Sequence, residues 1–270
     1  MSDIRIFDNP QIIWQRYIGG DIFPPPFNSG VEHPNSQLPD MRSPLVNDQY
    51  YHIYNRGVLK QPIFFESRDY ARFVHNLYEF NDTHPALKFG CRTSEVREPI
   101  ISILAWCLMP NHYHLLLQQR QENGISLFMK KLGGGYTNYI NLKYDRSGHV
   151  FQGKFKSKLI ETDAHFAHIS RYIHLNPIDL IGDNWERGDF LSQYKWSSYL
   201  DWIGTKNFPS VLDIPSMMSI RGMSAIEYKQ FVLEWSGTQY SDVGHPKCFT
   251  SARGRGSLES CPPFPLSTPA

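Results

Sequence analysis

The sequence predicts an α+β fold: an antiparallel four-stranded sheet with helices on one face, followed by a helical extension. Two observations carry that prediction. Four segments have strand character, at 50–58, 99–109, 112–119 and 156–163, and helical apolar spacing occupies the stretches between and after them. Two of the strands are separated only by the turn dipeptide Pro110-Asn111, so they form a hairpin.

Taken in order, YYHIYNRGV (50–58) alternates and has strand composition. SRDYARFVHNLYEF (67–80) sets Tyr70, Phe73, Val74, Leu77 and Phe80 at helical spacing, with Ser67 as its expected N-cap. PIISILAWCLM (99–109) is a strongly apolar strand, and HYHLLLQQ (112–119) is the return strand of the hairpin. ISLFMKKLGGGYTNYINLKY (125–144) is helical, with an interruption expected at Gly133-Gly134-Gly135. KSKLIETD (156–163) is a short strand. Thr162 or Asp163 caps a helix that runs to Asn176, where Pro177 discourages continuation. A further helix lies at 224–235.

Outside this core, six prolines between Ile22 and Pro44 mark residues 1–46 as a proline-rich arm. A disordered tail is expected over 237–270. The main domain is expected over 47–205 and the helical extension over 206–236. Net charge is +1, which points to no partner class for the chain as a whole. Cys91, Cys107, Cys248 and Cys261 form no C-x-x-C pair, so neither a zinc nor a disulfide framework is indicated. The first residues lack a basic start followed by an apolar run, and no apolar run approaches the roughly 20 residues of a membrane helix. A cytoplasmic protein with no membrane association is expected.

The chemistry concentrates in two places. His112 and His114 are spaced i, i+2 in a strand, so both imidazoles project from one face. On the helix ending at Asn176, His165, His168, Tyr172 and Asn176 form a polar stripe beside the apolar Phe166, Ile169 and Ile173. If that helix packs across the sheet near the histidines, Asn176 becomes a third metal ligand and Tyr172 stands beside the metal. His165 and His168 are read as surface groups or as supports behind the ligands. Two imidazoles and a carboxamide oxygen without cysteine make a fairly hard site, suited to Mg²⁺ or Mn²⁺. Open coordination positions would take a phosphate oxygen, and the ion would draw charge from phosphorus. Tyr172 beside such a phosphate could attack it, leaving a phosphotyrosine ester and a free 3′ hydroxyl. No small-molecule cofactor is indicated.

Charge patterning points to the same substrate. Lys130, Lys131, Lys143, Arg146, Lys154, Lys156 and Lys158 face only Asp145 in their stretch, with Tyr136, Tyr139, Tyr144, Phe151 and Phe155 interleaved. Basic groups track a phosphate backbone, and aromatic rings stack on unpaired bases. Each signal also has a plainer reading. A histidine pair is often simply packed, Asn176 can cap a turn, and a charge run can be a solvated face. Arg56 in YNRG either binds phosphate or merely closes its strand. The glycine triplet lacks the Lys-Ser/Thr of a P-loop.

The motifs YYHIYNRGVLKQPIFFESRDYARF, AWCLMPNHYHLLL, RSGHVFQGKFKS, RYIHLNPIDL and YKWSSYLDW resemble those of the REP-associated tyrosine transposases of bacteria. These are single-tyrosine HUH nucleases related to the small insertion-sequence transposases. The resemblance covers about residues 47–236. It implies a ferredoxin-like (RNA-recognition-motif-like) palm and a divalent metal. It also implies cleavage and rejoining of single-stranded DNA at short palindromic hairpins. By position it assigns His112, His114 and Asn176 to the metal and Tyr172 to the nucleophile, with Tyr136 or Tyr139 as alternatives. Candidate DNA contacts are Arg56, Asn111, Gln152, Lys154, Lys156 and Lys158. The leading expectation is a single-strand DNA endonuclease and strand transferase, monomeric or homodimeric. The competing one is a non-catalytic regulator that binds hairpin DNA or RNA on a transposase fold. A two-histidine phosphoesterase is disfavoured because the one H-x-[ST] sequence, at 168–170, lies in a helix. Leu116 excludes a hydrolase with three alternating histidines.

Overall fold

A computed structural model describes residues 44–83, 97–181 and 187–234. These all fall in one compact unit, which ends at Glu234. The expected tail, and all but the last three residues of the proline-rich arm, lie outside the described residues. Among the described residues, no helix is long and apolar enough to cross a membrane.

Strands β1 (Tyr50–Arg56), β2 (Ile101–Met109), β3 (His112–Gln119) and β4 (Lys156–Ile160) form one sheet in the order β2-β3-β1-β4. Every neighbouring pair is antiparallel. Helix α1 (Ser67–Glu79) joins β1 to β2, and α2 (Gly124–Lys143) joins β3 to β4. This is the β-α-β-β-α-β succession of the expected ferredoxin-like palm. α3 (Asp163–Leu175) follows β4, then α4 (Arg187–Gln193) and α5 (Tyr199–Trp202), and α6 (Ile214–Arg221) and α7 (Ala225–Leu233) fall in the span 206–236 expected for the extension.

The pleat sorts side chains to two faces. α1 and α2 cover one face, where Phe73 meets Tyr113 at 5.1 Å and Tyr136 at 4.9 Å between ring centroids. Helices on one face thus describes α1 and α2. α3 instead crosses the opposite face, which carries His52, His112 and His114. There Phe166 meets Tyr50 at 5.5 Å between centroids.

Three local expectations need correction. α1 is capped by Glu66 rather than Ser67, because the Asp69 carboxylate accepts from the backbone N–H of Phe65 and Glu66 and draws the turn one residue earlier. α2 runs unbroken through its three glycines. Gly135 serves helix packing there, since a Cβ would lie 2.6 Å from Cε2 of Phe80. β4 stops at Ile160, three residues early, because Thr162 turns the chain and its hydroxyl accepts from the His165 N–H at 3.1 Å.

The segment 196–202 seals the outer edge of β2. Leu108 N–H donates to Trp196 O and Ser198 N–H to Trp106 O, each at 2.9 Å. Trp202 Nε1 donates to Leu104 O. An edge strand left open would invite pairing with other chains. His174 pins α3 to this layer, with Nδ1 at 2.7 Å from the Tyr228 hydroxyl and Nε2 at 2.8 Å from Ser198 Oγ. Burial drives its pKa down to about 3, so it acts as a neutral strut.

On the α1–α2 side, buried Asp69 accepts from Lys143 Nζ, Tyr139 and Tyr144. Burial alone would raise its pKa, but those bonds hold it below the ordinary carboxylate value. Asp69→Ala should therefore cost about 2–4 kcal/mol at neutral pH, measured by urea unfolding. A depressed folded pKa gives stability that is present above the unfolded pKa of about 4. The gap between wild type and variant should thus be full above that pH and close as pH falls through the folded value. A gap independent of pH would contradict this.

Candidate active site

The site is built by strand register. Tyr54 lies opposite His114 and Arg56 opposite His112 across β1–β3, while His52 and Tyr54 face Lys158 and Lys156 across β1–β4. Directly opposed residues share a face. One sheet face therefore carries three histidines, Tyr54, Arg56 and two lysines. The alternate face carries Tyr51, Ile53, Tyr113 and Leu115, all buried in the core.

α3 lays Tyr172 on the histidine face. Its ring centroid is 5.3 Å from that of His114 and 5.9 Å from that of His52, both edge-on. His112 and His114 are perpendicular to one another at 5.0 Å. Tyr172 is half-buried, which leaves it reachable, whereas His52 and His114 are buried. Asn176 caps α3. Its backbone N–H and its Nδ2 both donate to Tyr172 O, the latter at 2.9 Å. That bond commits the amide nitrogen and makes Oδ1 the atom it can offer to a cation.

The Nδ1 atoms of the pair each have a partner. Asn111 Nδ2 donates to Lys60 O at 3.1 Å, which directs Asn111 Oδ1 to His112 Nδ1 at 2.6 Å. An amide oxygen only accepts, so this contact places the His112 proton on Nδ1 and makes Nε2 its lone-pair nitrogen. His114 Nδ1 lies 2.9 Å from His52 Nε2. His52 was not singled out by sequence reasoning, and its partner is 62 residues away. The available signal was its place in the i, i+2 series His52, Tyr54, Arg56, which the pairing carries onto the histidine face.

The donor chemistry fits a divalent cation. Among the described residues no group of three His, Cys, Asp or Glu side chains can hold a metal, so a cation at His112 and His114 would need a third donor of another kind, the role expected of Asn176. Two imidazoles and an amide oxygen suit Mg²⁺ or Mn²⁺ better than a thiolate-seeking ion.

The expected DNA contacts divide. Arg56, Lys156 and Lys158 lie on the histidine face, and Gln152 and Lys154 are exposed on the loop leading into β4, tied to β1 by Gln152 N–H donating to Arg56 O. Asn111 has both ends of its amide engaged within the protein. The long basic stretch is not one surface. Lys143 is bonded to Glu66 and Asp69, and Lys131 to Asp82 O, all on the α1–α2 side. The alternative tyrosines lie there too: Tyr136 donates to Ile63 O at 2.7 Å and Tyr139 to Asp69 at 3.0 Å. Burial raises the pKa of both phenols, which makes each a poorer nucleophile.

Residues 93–176 match the family model described as "Transposase IS200 like". That segment, which contains His112, His114, Tyr172 and Asn176, is similar to the IS200-like transposases, in keeping with the motif resemblance. No curated protein matches the chain. Among solved structures, one of a REP-associated tyrosine transposase bound to a REP hairpin aligns with 15% sequence identity and a TM-score of 0.47. The alignment covers 64% of this chain and 90% of that one.

His112→Ala and Asn176→Ala should each weaken Mn²⁺ binding by at least about tenfold in titration calorimetry. Wild-type affinity in both variants would place the ion elsewhere.

Proposed function

We propose that the protein is a metal-dependent single-stranded DNA endonuclease and strand transferase, acting in the cytoplasm at palindromic hairpins through a 5′-phosphotyrosine at Tyr172. The observation that carries this reading is the position of the half-buried Tyr172 phenol against His114 and His52 on the sheet face. The IS200-like segment over 93–176 supports the reaction class. The hairpin substrate follows from the motif resemblance.

In this reading the DNA strand runs over the histidine face. Arg56, Lys156 and Lys158 hold its phosphates from the sheet, and Lys154 and Gln152 from the adjoining loop. The Tyr172 hydroxyl oxygen bonds to phosphorus as the bond to the 3′ oxygen breaks. The phenol proton passes to water, and the leaving oxygen takes a proton to become a 3′ hydroxyl. One ester replaces another, so a later attack by a 3′ hydroxyl reseals a strand and frees the tyrosine. His112, His114 and Asn176 would hold Mg²⁺ or Mn²⁺, which would supply Lewis-acid polarisation of the scissile phosphate. α3 contributes positioning: its register sets the phenol one turn from Asn176.

Tyr172→Phe keeps the ring and its packing and removes the hydroxyl. It should fold and bind hairpin DNA as the wild type does, yet form no covalent adduct with a labelled hairpin in a denaturing gel with Mn²⁺. Tyr136→Phe and Tyr139→Phe should retain the adduct. If wild type binds hairpins but no tyrosine change alters any adduct, the protein is a binding module on this fold.

Paired Lys154→Ala and Lys156→Ala changes should weaken single-strand binding and flatten the dependence of log K on log salt by about 0.7 for each lost phosphate contact. Fluorescence anisotropy across a salt series reads this directly. An unchanged slope would move the strand off this edge.

A further inference from the structure

The geometry points to His52 as a positioning residue for metal binding: its Nε2 accepts the Nδ1 proton of His114 and thereby fixes the tautomer that presents His114 Nε2 to the ion. The assignment rests on the reading of His112 and His114 as metal ligands.

Neutral imidazole carries one proton on one of two nitrogens, and only the bare nitrogen binds a metal. For His112 the choice is made by Asn111, whose oxygen accepts from Nδ1. For His114 the corresponding position is filled by His52, with 2.9 Å between the two nitrogens. Either ring can donate across that gap. If His114 donates, its Nε2 is bare. If His52 donates, its proton occupies Nε2 of His52 and the bare nitrogen of His114 is Nδ1, which points at His52 and away from any ion. Metal binding at His114 Nε2 therefore selects the state in which His52 accepts and carries its own proton on Nδ1.

The surroundings hold His52 for this task. It is 2% exposed, its ring lies 5.0 Å from Tyr54 and 5.9 Å from Tyr172, and its ring plane is 21° from that of His114. β1 and β3 pair through this level, with His52 opposite Leu116 and Tyr54 opposite His114. The two rings thus meet diagonally across a rigid strand pair, a separation that long and aromatic side chains span. The strand that bears no ligand supplies the group that orients one.

His52→Gln retains an acceptor, because the Gln Oε1 reaches about as far as the imidazole Nε2 and can take the same proton. His52→Leu fills similar space against Tyr54 and Tyr172 but accepts nothing. Mn²⁺ binding to the full chain, measured by titration calorimetry and by the loss of free-ion electron paramagnetic resonance signal, should weaken about 10–100-fold in His52→Leu. It should stay within about threefold of wild type in His52→Gln. Hairpin binding without added metal should be the same in all three proteins. Wild-type Mn²⁺ affinity in His52→Leu would overturn the assignment. So would a His52→Gln that is as weak as His52→Leu, since the accepting atom would then not matter. Failure of Mn²⁺ to bind the wild-type protein would instead overturn the metal reading of His112 and His114, and this assignment with it.

Discussion

The antiparallel register of β1 on β3 is the constraint on which the rest depends. A strand's side chains alternate with period two, so a one-residue slip of β1 would send His52 into the α1–α2 core and bring Ile53 out, and a slip of β3 would do the same to His112, His114 and Tyr113. The observed register is specified by burial on both sides. Ile53, Tyr113 and Leu115 have no accessible position other than the core beneath α1 and α2. Because that face is apolar and tightly packed, the polar set is left together on the other. The site is in this sense a consequence of core packing.

α3 converts that polar face into a site. Its N-terminus is set by Thr162 immediately after β4, which leaves no slack between the strand and the helix that returns over the sheet. Its far side is fixed by His174, bonded to Tyr228 and Ser198 in the layer that seals β2. With both its start and its back pinned, the helix has little freedom to rotate, and Tyr172 stays against His114 and His52. The layer that seals β2, together with Tyr228, is thus part of the device that aims the phenol.

Much of this was legible in the sequence. Two histidines at i, i+2 in an apolar strand, and Tyr172 and Asn176 one turn apart on a capped helix, state their shared faces through periodicity alone. What was not legible depends on partners distant in sequence. His52 reads as one more residue of an alternating strand until β3 is laid beside it. The basic stretch reads as one surface until Lys143 is seen bonded to Glu66 and Asp69. The glycine triplet suggests a break, because a sequence does not reveal that the Phe80 ring needs the missing Cβ. Edge pairing by Trp196 and Ser198 comes from an irregular segment that carries no periodic signal.

The central claim is that the reacting tyrosine is the one on the histidine face. Site mapping of the covalent adduct tests it in the unaltered protein. Wild-type protein is incubated with a hairpin oligonucleotide and Mn²⁺, digested with nuclease and trypsin, and the phosphonucleotide-bearing peptide is sequenced by tandem mass spectrometry. Trypsin cuts after Arg171 and again after Arg187, so Tyr172 begins its own peptide, 172–187, whereas Tyr136 and Tyr139 share the peptide 132–143. The account predicts the modification on Tyr172 in peptide 172–187. Modification on 132–143 would contradict it, because those phenols lie across the sheet from both histidines.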